Sequence, residues 1–322
     1  MKNTLPGLHH ITAIASDPQQ NVDFYTGVLG LRLVKITINY DDPNSYHFYY
    51  GDEAGSPGSI LTFFAWPSGY LGVQGTAQAT VTSFSVPEGS LDYWKQRFEQ
   101  HHIRHEPPIH RWDEDTLVFY DPDGLQLELV AHPEATEKAG WANGPIPQEY
   151  ATRGFHSVTL AVKDSTRTTH LLTETLGFQL LREEGNRARY VVGQQGAART
   201  VDILTLPNEP QGVVGIGSVH HIAWRTPTDE QQQAWHTLLT KQQYRVSPVM
   251  DRQYFHSIYF REPGGVLFEI ATDPPGFIAD EPLEQLGTSL RLPEWLESRR
   301  DEIQNGLLPL TLPKVQKEES NV

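Results

Sequence analysis

The sequence predicts an α+β protein of four β-α-β-β-β modules in two domains, and three observations lead there. First, Asp121-Pro-Asp-Gly-Leu-Gln-Leu-Glu128 and Glu262-Pro-Gly-Gly-Val-Leu-Phe-Glu269 repeat one pattern, a Pro/Gly turn running into an apolar strand with an internal Glu. Second, Glu128 and Glu269 each stand five residues before a proline, as do Asp202 before Pro207 and Thr62 before Pro67. A column of Thr62, Glu128, Asp202 and Glu269 therefore runs through four units. Third, 322 residues suffice for two ordinary domains of about 100–150 residues each.

Each unit opens on a strand-like run: Leu8-His-His10-Ile-Thr, Phe155-His156-Ser-Val-Thr and Val219-His-His221-Ile-Ala. In the second unit Thr80 takes the equivalent place, because it precedes His221 by the same interval as Glu128 precedes Glu269. The opening column is thus His10, Thr80, His156 and His221. A helix follows, with Asp17 as N-cap and Pro18 as first helical residue, ending near Gly27 before Leu29-Gly30-Leu31. Residues 164–175 repeat it ahead of Leu176-Gly177-Phe178, and residues 90–100 and 229–241 are its counterparts. Alternating β-branched and aromatic residues then give strands at 33–38, 46–50, 189–192 and 257–260. A linker near 140–153 separates an N-terminal domain, 1–140, from a C-terminal one, 151–280. The tail, 281–322, carries a short amphipathic helix from Leu292, and its last eight residues have a disordered composition.

Composition removes many function classes. Lys+Arg number 25 against 40 Asp+Glu, and a charge of −15 repels nucleic acid and anionic membranes alike. With no cysteine, disulfides, thiolate metal sites and cysteine nucleophiles are all excluded, so a metal must bind through His and carboxylate. Histidine is abundant, with 14 copies. No apolar run approaches the ~18 residues of a membrane span, and the N-terminus has no signal-like core, so a cytoplasmic location is expected. Two motifs mislead. His105-Glu-Pro-Pro-Ile-His110 has the wrong spacing and two prolines for a zincin helix, and reads as a loop. Gly212-Val-Val-Gly-Ile-Gly217 lacks dinucleotide-binding spacing and leads into a strand.

Tandem modules with His on a first strand and Glu on a last strand resemble the vicinal oxygen chelate superfamily of glyoxalases, bleomycin-resistance proteins and dioxygenases. The chain is most similar to its ring-cleaving hydroquinone dioxygenase branch. The likeness rests on Leu8-His-His-Ile-Thr, Arg153-Gly-Phe-His-Ser, Glu184-Gly-Asn-Arg, His220-His221 and Tyr259-x-Arg-x-Pro-Gly-Gly-x-x-Phe-Glu269. It implies cup-shaped mixed sheets with flanking helices, a tail that covers a domain surface, and an enzyme that opens a small aromatic diol with O₂.

Two imidazoles and one carboxylate leave open positions on a metal, as in non-heme Fe(II) oxygenases. Pairing the first and fourth units gives His10, His221 and Glu269 as ligands, with Thr62 a non-ligand. Pairing the third and fourth gives His156, Asp202, His221 and Glu269. The first pairing is preferred because the His-His-Ile doublet occurs in those two units, and because the branch draws ligands from its first and last modules. Fe(II) is the expected metal, with Mn(II) second. Strand alternation would send His9 and His220 to the opposite face from His10 and His221. The resemblance instead implies that they orient ligands or accept a phenol proton. It also assigns Tyr259 as a donor to the bound diol and Arg252 as the charge that favours phenolate; His256, on the segment between them, is within reach of the same cavity by its position alone. A glyoxalase-like lyase or isomerase, and a quinone- or antibiotic-binding protein, are the alternatives. A homodimer is the default assembly.

Overall fold

A computed structural model describes residues 4–137, 139–193 and 198–312; the last eight residues fall outside them. Module 1 comprises β1 (Leu8–Ala15), α1 (Pro18–Val22, continued by a π-helical turn, Asp23–Val28), β2 (Arg32–Asn39), β3 (Asp42–Gly51) and β4 (Ile60–Ala65). Module 2 has β5 (Gln78–Val86), α2 (Leu91–Gln100), β6 (Ile109–Arg111), β7 (Glu114–Tyr120) and β8 (Gln126–Ala131). Module 3 has β9 (Phe155–Val162), α3 (Thr166–His170, continued by Leu171–Thr175), β10 (Phe178–Glu184), β11 (Arg187–Val192) and β12 (Thr200–Thr205). Module 4 has β13 (Ser218–Thr226), α4 (Asp229–Lys241), β14 (Met250–Asp251), β15 (Phe255–Arg261) and β16 (Leu267–Pro275).

Local chemistry accounts for these boundaries. The Asp17 carboxylate accepts from the backbone N–H groups of Gln19 and Gln20, so α1 starts where expected. Gly30 and Gly177, at φ +67° and +86°, turn the chain from helix to strand in a left-handed conformation that favours glycine. The two turn motifs are closed by their own first carboxylates. Asp121 accepts from the N–H groups of Asp123 and Leu125 and from the Tyr25 hydroxyl. Glu262 accepts from the N–H groups of Gly264 and Val266 and from the Thr168 hydroxyl. Each thereby ties its module to the helical segment of the one before it. The stretch from His105 to His110 is not all loop, since His110 lies on the short strand β6.

The strands form two eight-stranded mixed sheets, ordered β14-β15-β16-β13-β1-β4-β3-β2 and β10-β11-β12-β9-β5-β8-β7-β6. Module 1 pairs with module 4 and module 2 with module 3, so the sheets cut across the linear halves 1–140 and 151–280. His156 consequently lies in a different sheet from His221 and Glu269.

Register corrects the opening column. Thr12 pairs with Thr62 and Ala223 with Glu269, so His10 and His221 each stand two residues before the partner of the carboxylate column. Asp202 pairs with Thr159 and Glu128 with Ser83, which puts Ser157 and Val81 at the equivalent places. His156 and Thr80 are instead counterparts of His9 and His220. All four sit at β-bulges, where the pairing of β1 with β13 and of β5 with β9 skips one residue. A bulge interrupts alternation, and the expected opposite-face placement of His9 and His220 fails for that reason. Each bonds instead to the histidine beside it, Nδ1 to Nδ1, at 2.9 Å and 2.8 Å.

In the second sheet arginines meet the carboxylates. Arg111 donates to both oxygens of Glu128, Arg189 and Arg187 donate to Asp202, and Arg189 also reaches Glu114. His156 bonds Glu114 at 2.9 Å and Ser157 at 3.0 Å. Burial alone would raise the Glu114 pKa, but the hydrogen bond and charge of His156 and the charge of Arg189 bring it down to about 2. The tail contributes two short helices, α5 (Glu294–Glu297) and α6 (Arg300–Gly306), rather than one. Leu292, Leu296, Ile303 and Leu307 pack on Ile38 of β2, so the tail does cover a sheet surface.

Two predictions follow from the second sheet. Arg189→Leu strands Asp202 and Glu114 without their main donor and lowers stability by about 3–5 kcal/mol in chemical denaturation; an unchanged midpoint contradicts this. Because the Glu114 pKa is depressed from 4.5 to about 2, its stabilisation is complete above pH 4.5 and is lost as pH falls toward 2. Glu114→Gln should flatten the stability profile in that window alone.

Candidate metal centre

The site forms where β1, β13 and β16 lie side by side. His10, His221 and Glu269 come one from each strand, are buried, and form the metal-competent His/carboxylate group found among the described residues. Glu269 Oε2 lies 2.9 Å from His221 Nε2 and 3.3 Å from His10 Nε2, and the two nitrogens are 3.3 Å apart. Donors that share one ion at about 2.1 Å and occupy mutually perpendicular positions stand roughly 3.0 Å apart.

The carboxylate shows the fit. Its Oε1 accepts from the Ser257 hydroxyl, whereas Oε2, fully buried, has no hydrogen-bond donor among the described residues. An unmet buried acceptor costs about 1–3 kcal/mol, more when charged, unless a cation meets it. Burial alone would raise the Glu269 pKa; the His10 and His221 imidazoles beside it overcome this and hold it well below the usual carboxylate range. If Nε2 of His10 and His221 carries the lone pair, Nδ1 carries the proton and donates to the doublet neighbour. Burial, then the neighbouring His10, holds His9 neutral well below its ordinary pKa; burial, then His221, pushes His220 down to about 3. Neutral acceptors at both bulges match that tautomer. Phe255 packs against the rings of His9 and His10, at 5.1 and 4.9 Å between centroids.

His10 and His221 open onto a cavity of about 340 Å³ walled by Phe64, Trp66, Phe255 and Leu267, with Glu269 buried behind them. Tyr259, opposite Glu269 in the β15–β16 register, lines it together with Arg252 and His220. Arg252 Nε donates to the Tyr259 hydroxyl at 3.2 Å, which leaves the phenol proton free for another acceptor. Burial, then the Glu269 charge, raises the Tyr259 pKa, so the phenol keeps that proton. Arg252 also pairs with Asp41 at the rim. His9 is bonded behind His10 and is not part of the cavity wall. His256 lies elsewhere, half-exposed and bonded to Asp229 at the start of α4.

Sequence reasoning missed His47 and Tyr49. His47, on β3, lines the cavity, and its Nε2 bonds the Thr62 hydroxyl at 2.8 Å while its Nδ1 bonds the Tyr49 hydroxyl at 3.0 Å. Alternation within residues 46–50 puts His47 and Tyr49 on one face; which face depends on pairing that local sequence does not show.

Residues 7–129 and 154–270 match the family described as the glyoxalase/bleomycin resistance protein/dioxygenase superfamily. The chain belongs to this superfamily. It is 45% identical over 305 residues, 94% of this chain and 96% of the relative, to a Bacillus subtilis (strain 168) protein named ring-cleaving dioxygenase MhqO. It is 34% identical over 303 residues, 92% of this chain and 94% of the relative, to the chlorohydroquinone/hydroquinone 1,2-dioxygenase of Sphingobium indicum. Similarity to relatives with these names supports a dioxygenase enzyme of the superfamily. A solved structure titled as a Bacillus subtilis dioxygenase superposes at TM-score 0.92 with 43% identity, covering 98% of this chain and all of that one, 100%. Glyoxalase I from Zea mays, at 13% identity and TM-score 0.62 over 83% of this chain and 92% of its own, shares the fold. No helix among the described residues is long and apolar enough to cross a membrane.

His10→Ala, His221→Ala and Glu269→Gln should each abolish metal binding by elemental analysis, whereas His156→Ala should retain the metal content of the unmodified protein. His9→Phe and His220→Phe should weaken metal affinity by about 10–100-fold, as loss of ligand-orienting hydrogen bonds does. Loss of metal in His156→Ala would contradict the assignment.

Proposed function

We propose that the protein is an Fe(II)-dependent dioxygenase that opens the ring of hydroquinone- or catechol-type diols and places both atoms of O₂ in the product. The observation that carries this reading is the orphaned Glu269 oxygen set between two imidazoles at one end of an aromatic-walled cavity. When bound by His10, His221 and Glu269, Fe(II) supplies Lewis acidity toward phenol oxygens and a redox path between ring and O₂. Mn(II) suits the same donors.

The protein's own groups define the rest. Three protein donors would leave open positions for substrate and O₂, since Thr62 bonds Thr12 and His47 rather than the triad. At about 340 Å³ the cavity is near the lower end of ligand pockets, roughly 300–1,000 Å³, which suits a single aromatic ring. Phe64, Trp66 and Phe255 give that ring apolar faces and exclude water. Arg252 places a fixed positive charge where a phenolate oxygen would sit, and Tyr259 donates its proton to an anionic oxygen; both are most effective in a dry site. His220, neutral and in the cavity wall, orients His221. A glyoxalase-like isomerase would need a fourth protein donor, and Thr62 stands where that carboxylate would be.

Anaerobic loading with Fe(II) followed by oxygen uptake with hydroquinones and catechols tests this reading. Oxygen consumption matched to ring-opened product is expected, and no product from either class contradicts it. Tyr259→Phe should lower kcat by about 10²-fold, the usual cost of one preorganised donor, with metal content unchanged.

A further inference from the structure

A second polar system lines the cavity apart from the triad, and the reaction above does not use it. Thr12 Oγ1 bonds Thr62 Oγ1 at 2.9 Å, Thr62 Oγ1 bonds His47 Nε2 at 2.8 Å, and His47 Nδ1 bonds Tyr49 Oη at 3.0 Å. The chain crosses three strands, β1, β4 and β3, which the parallel pairing of Thr12 with Thr62 and the antiparallel pairing of Tyr49 with Thr62 bring into line. All four groups are buried. Both ends, Thr12 and Tyr49, and the central His47 belong to the cavity wall.

Proton counting gives the chain its property. Three hydroxyls and a neutral imidazole carry four polar hydrogens, and three links consume three of them. One end therefore always presents a spare O–H and the other a spare lone pair. Every link joins groups that can each donate or accept, and the imidazole can hold its proton on either nitrogen. The whole chain can reverse, with donor and acceptor ends exchanged, without any member becoming charged at rest. Burial holds His47 well below its ordinary pKa, and burial raises that of Tyr49, so both are neutral.

We infer that Thr12, Thr62, His47 and Tyr49 form a proton relay that takes a hydroxyl proton from the aromatic diol at one end and delivers one to an oxygen of the reacting complex at the other. This rests on the diol-cleaving reading above. The balance closes: a diol plus O₂ has the composition of the ring-opened acid, so a proton taken from a phenol is available to return to an oxygen within the same turnover. No external acid, base or reductant is needed. His47 is the member through which protons cross from nitrogen to nitrogen, and Thr62 is its link to Thr12.

The test uses the Fe(II)-loaded enzyme and a diol that the unmodified protein turns over. His47→Phe should lower kcat by about 10²-fold or more, the range for general acid–base groups, with metal content and KM within about threefold. Thr62→Val, which cuts the chain and leaves His47 in place, should lower kcat similarly and cover the case in which His47→Phe fails to fold. Added imidazole should restore part of the His47→Phe rate. The unmodified enzyme should show a solvent deuterium isotope effect on kcat whose proton inventory is curved, and Thr62→Val should alter that curvature; a structural role moves neither. Unchanged kcat in both variants, or loss confined to KM or metal content, overturns the relay alone. Failure of the unmodified, metal-loaded enzyme to consume oxygen with any diol overturns the dioxygenase reading first.

Discussion

One buried carboxylate organises the site. Glu269 has one oxygen satisfied by Ser257 and the other facing two imidazole nitrogens with no proton donor, an arrangement that a cation completes and an empty core would penalise. The surrounding features serve that geometry. The pairing of module 1 with module 4 brings His10 to it, and the bulges at His9 and His220 supply hydrogen bonds that aim both imidazoles.

The two sheets show the same scaffold solving two problems. Counterparts of His10, His221, Glu269 and Thr62 in the second sheet are Ser157, Val81, Glu128 and Asp202. Loss of both imidazoles leaves carboxylates that need another positive partner, and Arg111, Arg187 and Arg189 provide it. Guanidinium groups with fixed forks satisfy several carboxylate oxygens at once. One sheet thus keeps an open cation position, and the other fills it with side chains of its own.

Much of this was legible in the sequence, and the failures have definite causes. The modules, α1 and its cap, and α4 were readable because turn residues, an N-cap Asp and helical periodicity are local signals. That His10, His221 and Glu269 come together was expected from the His-His-Ile doublet, which occurs in the first and fourth modules, and from the resembled branch, which draws on those same modules. The column containing His156 and Thr80 slipped by one residue because a bulge is set by the partner strand, not by local sequence. The facing of His9 and His220 failed for the same reason. His47 carried no signal at all: it lies in the middle of a strand, and its significance comes from Thr62, Thr12 and Tyr49, which only the sheet brings together.

Anomalous diffraction from crystals grown with Fe(II) or Mn(II) under anaerobic conditions tests the central claim most directly. The account predicts a single strong peak within bonding distance of His10 Nε2, His221 Nε2 and Glu269 Oε2, with Ser257 still on Oε1. A peak beside Glu128 and Asp202, or none at the triad in metal-loaded crystals, would contradict it.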